Sequence, residues 1–168
     1  MSKLKDIDFR ILSELLQNSK RSDRDLARQI GVSQPTVTRR RARLEKEAID
    51  DYTLIPKWTA LGYKILGITL VGTDSVTRTK DKDTTERERA RRWLSKHPQI
   101  LLGSGCNGNG SDAIMMSVHR SYAEYDELLR ELRRDLGDTI NHVQSILVNL
   151  GGTEVLKPLG LKYLAEAE

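Results

Sequence analysis

The chain is poor in the residues that staple or catalyse. Its one cysteine, Cys106, can form no internal disulfide. The three histidines, His97, His119 and His142, have no metal-ligand spacing with one another or with Cys106. Their places on a helix face or in strands read as surface or core positions, so no metal, cofactor or catalytic group is expected and the chain does not read as an enzyme. No run of apolar residues is long enough for a transmembrane helix, and the opening residues MSKLKDIDFR lack the apolar centre of a signal peptide. A cytoplasmic protein with no membrane partner is expected. In that compartment the glycosylation sequon Asn109-Gly110-Ser111 is incidental.

What the chain has is an uneven charge. Residues 1–50 hold 12 Lys+Arg against 8 Asp+Glu, whereas residues 51–168 hold 16 of each, so the whole net charge of +4 lies in the first third. Such asymmetry suits a segment that meets a polyanion beside a segment that does something else.

The basic third reads as three helices. Leu4, Ile7, Ile11 and Leu15 recur at helical spacing and end near Gln17-Asn18-Ser19. Ser22 and Asp25 have the spacing of a capping box, opening a short helix that turns Leu26, Ala27 and Ile30 inward before Gly31 stops it. Ser33 then caps a third helix, SQPTVTRRRARLEKE, whose Pro35 is tolerated in the first turn because the amide it lacks would have no partner there. Helix, glycine turn and helix make a helix-turn-helix. At 100 degrees per residue, Val37, Leu44 and Ala48 form the packed stripe of the third helix. Pro35, Thr36, Arg39, Ala42, Arg43 and Lys46 point the other way, a face of small residues and long cations suited to a major groove. Thr36, Arg39 and Arg43 are the candidates for base edges; Ser33, Gln34, Thr38, Arg40 and Lys46 are those for positioning or phosphates.

The second part carries a different pattern. Ile49–Pro56 has short strand character, and YKILGITLVG is a long apolar strand followed by a polar loop over Thr73–Thr84. Thr85 and Glu88 read as a capping box for a helix with Ala90, Trp93, Leu94 and His97 on one face. Strands follow at Ile100–Cys106 and Ala113–His119. Ser121 and Glu124 cap a helix striped with Tyr125, Leu128, Leu129, Leu132 and Leu136 and closed by Gly137, and Ile140–Leu150 is the last strand. The order strand, helix, strand, strand, helix, strand is ferredoxin-like. Between its second and third strands, Gly103, Gly105 and Gly108 have the G-x-G-x-x-G spacing of a dinucleotide turn, but AIMMSVH after them is a strand, and that fingerprint needs a helix there. The stretch is a hairpin.

The N-terminal residues, in particular Asp6–Asp8, Asp25-Leu26-Ala27, Ile30-Gly31-Val32-Ser33, Arg40 and Leu44-Glu45, resemble the DNA-binding domain of the Lrp/AsnC family of bacterial and archaeal transcription regulators. The likeness extends over the ferredoxin-like part to about residue 150. Two positions depart from it. Arg41 stands where the family usually has Val or Ile, so its stem is expected to cover apolar surface with the guanidinium reaching out; Ala48 replaces a usual Gly. The resemblance implies an α+β chain with a winged helix-turn-helix at residues 1–50, a wing and connector at 51–62, a ferredoxin-like effector-binding and oligomerisation domain at 63–150 and a tail at 151–168. It also implies a homodimer or higher assembly on an imperfectly palindromic double-stranded DNA site, and a small effector such as an amino acid at the hairpin. There Asn107, Asn109, Ser111 and Asp112 offer donors and acceptors; Asp112 matches the family's Gly-x-x-Asp, with Asn109 in the Gly position. The tail's Val155, Leu156, Leu159, Leu161 and Leu164 are expected to pack on the sheet or on another subunit. The same architecture also resembles the siroheme decarboxylases, the enzyme alternative. An assembly module without DNA is the third class, and the basic first 50 residues argue against it.

Overall fold

The computed structural model describes residues 4–73, 80–152, 155–158 and 160–166, and the chain divides into two compact units. The first begins with α1 (Asp6–Gln17), α2 (Asp23–Ile30) and α3 (Gln34–Glu47). Their apolar stripes meet in one core, in which Ile11, Leu26, Val37 and Leu44 are fully buried. Each such side chain contributes about 1.5–3 kcal/mol relative to exposure, which three short helices need because none is stable alone. Ser22 Oγ accepts from the Asp25 amide at 3.1 Å, as the capping pattern requires, and α2 ends at Gly31 with φ 78°, a left-handed turn that a side chain resists.

Several details differ from the sequence expectations. Ser33 precedes α3 as its cap residue, but its hydroxyl lies 2.8 Å from Thr36 Oγ1 and caps no amide. Ala48 ends α3 and is exposed, so the packed stripe of that helix is Val37 and Leu44. No strand forms over Ile49–Pro56; the chain there is irregular up to a 3₁₀ turn at Trp58–Leu61. A second 3₁₀ turn, Lys162–Glu166, belongs to the first unit and packs on α1, where Ser13 Oγ donates to the Ala165 carbonyl at 3.2 Å. That stretch of the tail thus packs on α1; Leu156, Leu161 and Leu164 are exposed, and Leu159 lies outside the described residues.

The second unit holds β1 (Ile65–Thr73), α4 (Lys80–Ser95), β2 (Ile100–Gly108), β3 (Ser111–His119), α5 (Tyr122–Leu136) and β4 (Ile140–Asn149). The sheet order is β2-β3-β1-β4 and its pairings are antiparallel, which is the ferredoxin-like topology. α4 starts at Lys80, so Thr85 lies inside the helix and not at its start; of the loop expected over Thr73–Thr84, residues 74–79 lie outside the described residues. At α5 the expected cap is present, with Ser121 Oγ accepting from the Glu124 amide at 3.2 Å.

Strand alternation gives the sheet two faces. Val71, Met115 and Val143 join Trp93 of α4 and Leu128 and Leu132 of α5 in the second core. On the same face Tyr125 of α5 reaches Thr69 Oγ1 at 2.9 Å and bonds Ser145. The opposite face carries Leu66, Ile68, Leu70, Leu102, Met116 and Ile146, of which Leu102 and Ile146 are 46% and 58% exposed.

Candidate functional site

Of the eight side chains expected to meet DNA, the structure leaves some free and ties others down. Ser33, Gln34, Thr38, Arg39 and Lys46 are exposed, and Thr36, Arg40 and Arg43 are half-buried. Arg39 and Lys46 stand seven residues apart, two turns along one side of α3, about 10 Å in helical rise. Thr38 Oγ1 donates to Asp23 Oδ2 at 2.7 Å, a bond that joins α3 to the start of α2.

Arg40 and Arg43 face inward to an acid that the sequence reading passed over. Asp8 is fully buried on α1. Its Oδ1 accepts from Arg40 Nη1 at 2.9 Å, and its Oδ2 accepts from Arg43 Nη2 at 2.5 Å and from the Lys5 amide at 2.8 Å. Burial alone would push this carboxyl up, but the Lys5 amide and the two guanidiniums outweigh it and hold the group below the usual carboxylate range. One carboxylate therefore caps α1 and fixes α3 against it. The expectation that Arg43 reaches base edges and Arg40 phosphates is corrected to this extent: each spends a terminal nitrogen on Asp8, and each Nε is buried with no hydrogen-bond partner. The signal was available, since Asp8 falls on the Leu4, Ile11 and Leu15 face of its helix, where an acid must find a cation.

Arg41 also departs from expectation. Its guanidinium turns inward, donating to the Arg21 carbonyl (3.1 Å), Asp23 (3.2 Å), Glu45 (3.0 Å) and the Tyr52 hydroxyl (3.2 Å), and it lies 5.3 Å from the centre of the Tyr52 ring. It fastens the segment after α3 to the helices.

In the second unit the glycine-rich stretch is a tight hairpin. Asn109 (φ 56°) and Gly110 (φ 70°) are the two central residues between paired Gly108 and Ser111. Two successive positive φ values define the primed turn that Asn-Gly favours, so Asn109 is there for its backbone. The four expected effector residues do not converge. Asn107 and Asn109 are exposed at the tip; Ser111 is buried with Oγ 3.4 Å from His142 Nε2; and Asp112 Oδ2 accepts from Thr73 N and Oγ1, both at 2.8 Å. Asp112 and Thr73 instead line a cavity of about 460 Å³ between α4 and the sheet.

The histidines take separate places. His97 lies against Trp93 and bonds Glu131 at 3.0 Å; His119 is buried beside Ser117 and Tyr125, where desolvation lowers its pKa despite Glu124; His142 sits near the hairpin with Nδ1 2.6 Å from Asn141 Oδ1. Among the described residues no group of three or more His, Cys, Asp or Glu is placed to hold a metal ion, and no helix is long and apolar enough to cross a membrane.

Residues 4–45 match the AsnC-type helix-turn-helix domain. Comparison with curated protein sequences finds no match. Among solved structures, the chain is similar to an AsnC family transcriptional regulator from Agrobacterium tumefaciens, with 19% identity and a TM-score of 0.75 over 96% of this chain and 99% of that one. It is similar to the transcriptional regulator NMB0573 of Neisseria meningitidis, solved as a complex with L-Met, with 19% identity and a TM-score of 0.76 over 96% and 99%. AsnC of E. coli gives 18% identity and a TM-score of 0.68 over 94% and 98%. The N-terminal helices are thus an AsnC-type helix-turn-helix, and nearly the whole chain has the fold of these regulators.

Proposed function

We propose that this chain is a transcription regulator of the Lrp/AsnC type, which binds duplex DNA through residues 1–50 and uses residues 63–150, beyond a connector at 51–62, for assembly and effector sensing. The observation that carries this reading is the AsnC-type helix-turn-helix at residues 4–45, whose third helix holds Arg39 and Lys46 exposed on one side. Arg39 and Thr36 read base edges; Ser33, Gln34 and Lys46 contact the backbone, where Lys and Arg neutralise phosphates and release counterions. Thr38 holds the helix through Asp23, and Arg40 and Arg43 hold it through Asp8 while lending their positive charge to the face that meets the duplex.

Two copies are needed for a palindromic site. The apolar sheet face with Ile68, Leu102 and Ile146 is too greasy for a lone surface, and covering it with the same face of a second copy makes a two-fold dimer. Recognition helices then enter grooves about 34 Å apart. A role on DNA makes the cytoplasm its working compartment. One relative's complex with L-Met supports a small effector, to which the Asp112 end of the hairpin is the nearest candidate. The reading is tested by titrating a labelled duplex with the purified protein at several salt concentrations. Binding that weakens steeply with salt, and weakens further in Arg39→Ala, is expected; no binding at low salt refutes it.

A further inference from the structure

The hairpin between β2 and β3 carries two reactive dipeptides. Of the five asparagines in the chain, Asn107 and Asn109 are each followed by glycine, and both lie in this hairpin. An asparagine carboxamide is open to attack by the backbone nitrogen of the next residue, and glycine in that place, having no Cβ, leaves the nitrogen unshielded. The two sites differ in what holds that nitrogen. Gly108 pairs with Ser111 at the end of the ladder, and the closing residues of a two-residue hairpin exchange N–H and C=O bonds. Gly110 lies beyond that pair, in the turn, and among the described residues its amide donates no backbone hydrogen bond. Asn109 is exposed, so water reaches its carboxamide.

We propose that Asn109 is a site of spontaneous deamidation, which converts the hairpin tip to an acidic, loosened form, while the ladder protects Asn107. The Gly110 nitrogen bonds to Asn109 Cγ and the Cγ–Nδ2 bond breaks. Nδ2 leaves as ammonia, taking up the proton that the Gly110 nitrogen gives up, and a five-membered succinimide closes. Water then adds at one of the two ring carbonyls. Opening at Cγ gives aspartate; opening at the Asn109 carbonyl carbon gives isoaspartate, whose main chain runs through the side chain and is one atom longer. A two-residue primed turn fits its strands only at its ordinary backbone length, so isoaspartate loosens the Gly108 and Ser111 pair. Either product adds a negative charge beside Ser111, which contacts His142, and close to Asp112, which holds Thr73. The reaction needs neither DNA nor an effector, so it stands apart from the proposed function.

Mass-spectrometric peptide mapping tests it, on the full chain held for weeks at physiological temperature in mildly alkaline buffer, with fragmentation to separate the two asparagines. A gain of about one mass unit is expected at Asn109, with isoaspartate the main product, and Asn107 should react about tenfold or more slowly because its closing pair must first open. In urea, where the ladder is gone, the two sites should react within about twofold of each other. Asn107→Gln should leave the gain at Asn109 unchanged. Hydrogen exchange at the Ser111 amide should be faster in the aged chain than in the fresh one, with the Val118 amide unaffected. An unchanged Asn109, an Asn107 that reacts as fast as Asn109 in the folded chain, the same bias between the sites in urea, or unaltered Ser111 exchange after conversion would overturn the proposal.

Discussion

Replacing Asp8 with Asn keeps the side chain's size and removes its charge, leaving the Arg40 and Arg43 guanidiniums without their carboxylate. Breaking a buried ion pair from one side costs about 3–5 kcal/mol. The two arginines keep 18% and 29% of their side-chain surface exposed, so water recovers part of the loss and the lower end, about 3 kcal/mol, applies. For a three-helix unit that is a large share of its stability. Native-state hydrogen exchange at the Val37 and Leu44 amides reads this unit by itself. Because the folded carboxyl is held below its usual value, its contribution is complete above the unfolded pKa, about 3.9, and is lost as pH falls through the lower folded one. The difference between the natural chain and Asp8→Asn should therefore be constant from neutrality down to about pH 5 and should shrink in stronger acid. A difference under about 1 kcal/mol at neutral pH, or one that does not shrink on acidification, would refute this account of the ion triad.

Other expectations follow from the same surfaces. Arg39→Ala should cost about 1–3 kcal/mol of binding on a preferred site while leaving stability within about 0.5 kcal/mol; an equal loss on random duplex, read by fluorescence anisotropy, would make Arg39 a phosphate contact. Gly31→Ala meets no atom within 4 Å, so its cost is that of holding a left-handed backbone, about 1 kcal/mol, measurable at the same amides. Ile146→Asp, on the open sheet face, should give a folded monomer in sedimentation velocity if that face joins two copies; an unchanged sedimentation profile would move the interface elsewhere.

The sequence carried the helices and strands well because each buries one periodic stripe: Ile7, Ile11 and Leu15 in α1, or Tyr125, Leu128 and Leu132 in α5. It carried side-chain partners badly. A helical wheel ranks Arg43 with Arg39 because both lie on the polar side, and only the packing of α1 across α3 decides that Arg43 turns to Asp8. Arg41 was misread for a similar reason, since Tyr52 comes from a segment whose irregular path no periodicity describes. Thr85 and Glu88 had the spacing of a cap, but a helix can run through such a pair when the residues before it also adopt helical backbone, and α4 does so from Lys80. At the hairpin, Asn109-Gly110 carries a turn signal that explains Asn109 without a ligand. The cavity beside it depends on two glycines of β2 facing a helix that is distant in sequence, and spacing alone does not show that.

The most direct test of the central claim is to enrich random genomic fragments on the purified full-length protein and sequence what is retained, in parallel with an Arg39→Ala, Lys46→Ala variant. The account predicts a recurrent, imperfectly palindromic motif with half-sites separated by about one helical turn or a multiple of it, lost in the variant. Fragments retained without a shared motif, or the same motif retained by both proteins, would contradict it.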